Sequence, residues 1–166
     1  MVEILHLLEQ GVLESTIFDR QLQQRIAIAL CQACARPLLD QKPCGSWGNS
    51  VEESAYALLI LSYARRLVFF EQLETVLEKS IHRGLDFVTA LDDPSPAYVW
   101  IEKVSYASAI LTHSYMLGAI KALSYKVHSK VGRSIWKSGE PRGGMMKHVD
   151  LFHRTPLFKS SPRYEL

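Results

Sequence analysis

Nothing in these 166 residues can serve as a membrane-spanning helix. The most apolar stretch, Ala55 to Phe70, is interrupted by Ser62, Arg65 and Arg66. It also falls short of the ~20 apolar residues that a bilayer requires. A secretory signal is missing too: Glu3, His6 and Glu9 stand where such a signal needs a basic start and an unbroken apolar segment. The expectation is a soluble, cytoplasmic protein. Cysteine is scarce. Cys31, Cys34 and Cys44 are an odd number, which argues against a disulfide framework. Cys31 and Cys34 form a C-x-x-C inside an apolar helical pattern, and no second pair completes a zinc site. They read as small buried hydrophobes, with no metal and no cofactor expected. A phosphate-cradling glycine loop and a G-x-S-x-G elbow are also absent. Convincing strand alternation is found nowhere.

What is present is enough for a core, since 48% of residues are apolar and 22% charged. A net charge of +2 implies no polyanionic partner, and no nucleic acid is expected. The charge is unevenly spread. Residues 1–120 hold 9 Lys+Arg against 14 Asp+Glu, whereas residues 121–166 hold 10 against 3. That basic end contains Gly132, Gly139, Gly143, Gly144, Pro141, Pro156 and Pro162. It reads as an irregular tail with one short apolar patch, Phe152, Pro156, Leu157 and Phe158. The division expected is 1–124, a helical domain, and 125–166, the tail.

Helical periodicity runs through most of residues 2–124. Segments are predicted at 2–14, 20–35 (ended by Pro37), 51–68, 72–90 and 103–124. Ser50-Val-Glu-Glu53 reads as a capping box for the third. Residues 72–90 carry one apolar stripe and a polar back of Glu74, Glu78, Lys79 and Arg83. Residues 55–64 and 104–123 are apolar on most sides, which demands burial all round. Alternation of half-wet and fully buried helices is the order of an α/α toroid, whereas an up-down bundle gives every helix one wet face. A faint repeat agrees: Leu39-Asp40 and Leu91-Asp92 each follow an outer-type helix and precede a loop and an inner-type helix.

Gln41-x-x-x-Gly45-x-Trp47 matches the core of the QW repeat, and Gly45-Ser-Trp-Gly-Asn-Ser-Val-Glu-Glu-Ser-Ala-Tyr-Ala-Leu-Leu59 resembles a stretch of class II diterpene cyclases. Ile81-His-Arg-Gly-Leu-Asp-Phe87 is similar to an outer helix of those toroids. Trp100-Ile-Glu-Lys-Val-Ser-Tyr106, running into Ala122, resembles the last inner helix of their C-terminal portion. Over about residues 20–123 the chain thus resembles the C-terminal part of class II diterpene and triterpene cyclases, closest to the fungal type. The resemblance implies an all-α, partial α/α toroid of the terpenoid cyclase/prenyltransferase kind, with an isoprenoid as ligand. One departure is Cys44, where the family has Asp.

The QW loop has a physical reading as a brace. Gln41 can satisfy open backbone groups at a helix end, Trp47 can cover that end, and Gly45 permits the tight path. The chemistry the resemblance implies lacks its acid. Asp-x-Asp-Asp is absent, and so is the metal-binding Asp-Asp-x-x-Asp; Asp92-Asp93 precedes Pro94 in a turn. No catalytic residue is assigned. Candidate cavity-lining residues are Tyr56, Tyr63, Trp100, Tyr106, His113 and Tyr115. The expected function is a terpene-cyclase-like protein or fragment associated with terpenoid biosynthesis and inactive alone. Its alternative is a non-catalytic helical module that completes its barrel with a partner chain. Five helices cannot close a ring, so self-association or a missing toroid half is the partner expected. Leu58, Leu59, Ile110 and Leu111 are expected to face the missing neighbour.

Overall fold

The computed structural model describes residues 2–12, 20–48, 50–90, 99–101, 104–127, 129–133 and 154. Five α-helices carry it: α1 (Val2–Glu9), α2 (Arg20–Asp40), α3 (Val51–Ala64), α4 (Glu74–Thr89) and α5 (Ala109–Ser124). A 3₁₀ helix, Val68–Leu73, turns the chain from α3 into α4, and a two-stranded hairpin precedes α5. The helix α2 runs three residues past Pro37, beyond the end that the sequence predicts. A proline lacks only its own amide hydrogen and its φ is helical, so the following residues can still complete a last turn.

Ser50 caps the start of α3 as the sequence predicts. Ser50 Oγ accepts from the Glu53 amide at 3.0 Å, and the Glu53 carboxylate accepts from the Ser50 hydroxyl at 3.0 Å. The main difference from the sequence reading lies between 99 and 106. Val99–Ile101 (β1) pairs antiparallel with Val104–Tyr106 (β2), and α5 starts only at Ala109, capped by Ser108. β-branched and aromatic residues make up most of both strands, and three-residue strands are too short to show alternation in a sequence.

Two layers result. The C-terminal end of α2 meets the N-terminal end of α3 through Trp47, which bonds Pro37 and Ser54. Arg65, just past α3, pairs with Glu78 near the start of α4 at 2.9 Å. Both α2 and α4 therefore run antiparallel to α3, and they also touch each other. The helix α5 runs parallel to α3, because Thr112 meets Glu52 near the starts of the two helices and the Leu123 carbonyl accepts from Arg65 near their ends. Among the described elements, the α3–α5 interface is the most extensive. This is the outer–inner alternation of helical hairpins, with α2 and α4 outside and α3 and α5 inside.

The core gathers on α3. Leu58 and Leu61 are fully buried, with Leu77, Ile81 and Val88 from α4, Ile26 and Leu30 from α2, and Leu5 from α1. Burying each such side chain is worth about 1.5–3 kcal/mol. Leu58 lies in this core rather than on an open face. The chain after α5 returns to the core: Val131 is buried and bridges to Leu67, its amide donating to Arg66 O at 2.6 Å. The turn at Asp92-Asp93 and the apolar patch at 152–158 lie outside the described residues, apart from Arg154.

Candidate functional site

The loop between α2 and α3 ties three helices together. Gln41 Nε2 donates to Gly45 O at 3.0 Å and to Ser80 O of α4 at 2.9 Å. Its Oε1 accepts from Ser80 Oγ at 2.8 Å and from the Arg83 guanidinium. The Trp47 indole N–H donates to Pro37 O at 2.6 Å, so the ring closes the last turn of α2. The Trp47 amide donates to Ser54 Oγ of α3 at 3.0 Å. Two glycines make room. Gly45 has φ +92°, and a Cβ there would lie 2.3 Å from the Arg83 carbonyl oxygen. A Cβ on Gly84 would lie 2.6 Å from the Trp47 ring and 2.8 Å from Leu58. The arrangement ties α2, α3 and α4 to one another.

A second polar cluster sits in the seam between α3 and α5. Glu52 is 1% exposed. One carboxylate oxygen accepts from the Tyr56 hydroxyl, and the other lies 3.1 Å from Thr112 Oγ1. Thr112 is itself 1% exposed, and its hydroxyl is also 3.0 Å from Ser108 O. The Tyr56 ring stands edge-to-face with Tyr115, centroids 4.5 Å apart at 71°. The sequence pattern brings out the two tyrosines but not Glu52, whose neighbour Glu53 takes the capping role. A usable signal was there: a carboxylate four residues before a tyrosine on a helix otherwise apolar all round.

The other candidates are dispersed. Tyr63 is 44% exposed and lines a surface cleft of about 420 Å³ with Leu59, Arg65, Arg66, Tyr125 and Lys126. The cations there are partly engaged, since Arg66 pairs with Glu3 and Arg65 with Glu78. The Glu3 carboxyl is held below its ordinary range by the hydrogen bond from Arg66. His113 Nδ1 donates to Ala109 O at 2.8 Å, a bond within α5. Trp100 and Tyr106 belong to the hairpin strands instead of an inner helix, and their side chains lie outside the described residues. Cys31 and Cys34 are buried; burial pushes both thiols up, Cys34 to about 11. Among the described residues no three His, Cys, Asp or Glu side chains are grouped to hold a metal ion.

Among the described residues no element covers the face of α5 turned away from α3. Ile110 is 79% exposed and Leu117 61%, with Leu111 also exposed; on α3, Ile60 joins Tyr63 at the surface and Leu59 is half-buried. A phyllocladan-16-alpha-ol synthase of Phomopsis amygdali is 38% identical over 149 residues, 86% of this chain and 15% of its own length. An ent-kaur-16-ene synthase of Fusarium fujikuroi is 31% identical over 157 residues, 94% of this chain and 16% of the relative. The chain is a homologue of the fungal diterpene cyclases. A pimaradiene synthase of Emericella nidulans is 37% identical over 120 residues, 72% of this cyclase-like chain and 12% of the relative. These relatives are class II-type terpene cyclases with an α/α toroid fold, and the outer and inner helices here are a part of such a toroid. The cyclase-like chain spans about a sixth of the length of these two synthases, the phyllocladan-16-alpha-ol and ent-kaur-16-ene enzymes. No protein-family model and no solved structure matches it. No helix among the described residues is long and apolar enough to cross a membrane.

Proposed function

We propose that this terpene-cyclase-like chain forms part of the wall of a toroid that serves diterpene biosynthesis, and that it is catalytically silent until the ring around it is completed. The observation that carries this reading is the open apolar face of α5. An inner helix needs a neighbour on each side; α5 has α3 on one side and Ile110 and Leu117 in water on the other. Protonating an alkene requires a carboxylic acid kept protonated in a dry cavity. The 166 residues contain no Asp-x-Asp-Asp, so that acid has to come from elsewhere in the ring. The contribution of this chain is shape: the α3–α5 seam with Tyr56 and Tyr115, held upright by the Gln41–Gly45–Trp47 brace, offers an apolar surface to an isoprenoid.

The experiment is a turnover assay with geranylgeranyl diphosphate, with and without magnesium. The isolated chain is expected to form no product. Product that disappears in Asp92→Asn or Asp93→Asn would overturn the reading. The ring could be completed by further residues of a longer chain or by a separate chain. Co-purification with a chain carrying Asp-x-Asp-Asp favours the second; finding that motif upstream in the same genomic reading frame favours the first.

A further inference from the structure

We propose that the cleft between the end of α3 and the chain leaving α5 binds an amphiphilic monoanion: a molecule with one carboxylate and a hydrocarbon body. The chain is pinned on both sides of this cleft. On one side the Arg65 guanidinium donates to Leu123 O, a last-turn carbonyl of α5, at 3.0 Å. On the other, the Val131 amide donates to Arg66 O at 2.6 Å, and Val131 O accepts from the Val68 amide at 3.0 Å. Val131 is fully buried, and the Gly132 amide donates to the Glu9 carboxylate at 3.1 Å. Tyr125, Lys126 and Val127 lie between these anchors and line the cleft together with Leu59, Tyr63 and Arg66 from the end of α3. Its volume of about 420 Å³ falls within the range of small-molecule sites.

The lining sets both the charge and the shape of the ligand. Leu59, Ala122 and Val127 are half-buried and supply an apolar floor. Three cations line the cleft, and among the described lining residues there is no carboxylate. Two of the cations are already matched, Arg65 by Glu78 at 2.9 Å and Arg66 by Glu3. Lys126 is exposed and has no such partner among the described residues. The C-terminal ends of α3 and α5 both lie here, and their dipoles offset part of the positive charge. What is left complements a single negative charge and falls short of the several charges of a diphosphate. Tyr63 and Tyr125 are 44% and 62% exposed, and each brings a hydroxyl that can donate to a carboxylate beside the Lys126 ammonium. An exposed lysine alone selects nothing; the apolar floor held open beside it adds the hydrocarbon.

The test is isothermal titration calorimetry of the full 166-residue chain with decanoate, decanol and decyl phosphate, each below its aggregation concentration. Decanoate is expected to bind at one site per chain, more tightly than decanol, and to weaken as salt rises. Lys126→Gln should weaken decanoate at least about tenfold and leave decanol unchanged, as for loss of a charged hydrogen-bond donor. Arg25→Gln, which removes a charge from the outer helix α2, should leave decanoate unchanged. Ala122→Trp fills the floor and should abolish binding of decanoate and decanol, with far-UV circular dichroism retained. An absence of decanoate binding overturns the proposal. So does decanoate affinity unaltered in Lys126→Gln, equal affinity for decanol, or equal weakening by Arg25→Gln. Tighter binding of decyl phosphate overturns the single-charge assignment. Should Ala122→Trp fail to fold, Lys126→Gln decides. Failure of the toroid reading shows separately, as turnover by the isolated chain, and leaves the decanoate affinities unaltered.

Discussion

Trp47 does three things at once: its indole closes the end of α2, its backbone joins α3, and its ring fills the space that Gly84 leaves on α4. Trp47→Ala should therefore cost about 3–5 kcal/mol, measured by urea unfolding, as for a buried aromatic. The three cysteines give a second residue-scale prediction. Cys44 is exposed, and hydrogen bonding to Ser46 lowers its thiol. It should be alkylated first in the native chain, with Cys31 and Cys34 labelled only on unfolding. Mass mapping of the labelled peptides checks the order. For Cys34 the folded thiol lies above its unfolded value, so the neutral form is the one the core favours. Its contribution to stability is complete below the unfolded thiol value and is lost as pH rises from there towards about 11. The melting temperature should fall over that alkaline window, and Cys34→Ala should flatten the fall. The spacing of Gln41, Gly45 and Trp47 makes the brace legible in the sequence. Glu52 is not legible in the same way, because its partner Thr112 is 60 residues away and no local pattern links them.

At the scale of elements, glycine separates a packed helix from an open one. Gly84 on α4 faces the Trp47 ring and Leu58, whereas a Cβ on Gly118 of α5 would meet nothing within 4 Å. Alanine is the better helix former by about 1 kcal/mol at both positions. Gly118→Ala should raise stability by about that amount. Gly84→Ala should lower it, because overpacking of about 1–3 kcal/mol outweighs the propensity gain. Thermal melts of the two variants give the signs, and two equal gains would contradict the packing at α4. Helix type and order follow from periodicity, since α4 buries Leu77, Ile81, Gly84 and Val88 on one stripe. Helix ends are less legible. The α2 end runs past its proline, and the start of α5 is delayed by a hairpin whose strands are three residues each. Val76 of α4, though apolar, is 43% exposed, and Ser80 and Gly84 are among the residues that face inward.

For the whole molecule, the sequence character of α5 and its surroundings disagree, and the disagreement is the main clue. A helix carrying Ile110, Leu111, Leu117 and Ala119 should be covered all round, yet its buried residues are only Thr112, Ala119 and Leu123. The toroid was legible from the alternation of outer-type and inner-type helices and from the QW loop. How far the ring extends was not, because that depends on residues beyond the chain's own pattern. An uncovered inner face of this kind should drive self-association or partner binding, since exposed apolar patches larger than about 600 Å² are unusual on stable monomers. The most direct measurement is sedimentation velocity of the purified chain across a concentration series, read together with binding of a dye that reports exposed apolar surface. The account predicts concentration-dependent association with dye binding, both reduced when Ile110 and Leu117 are replaced by lysine. A sharp monomer at every concentration, with cooperative melting and no dye binding, would contradict it.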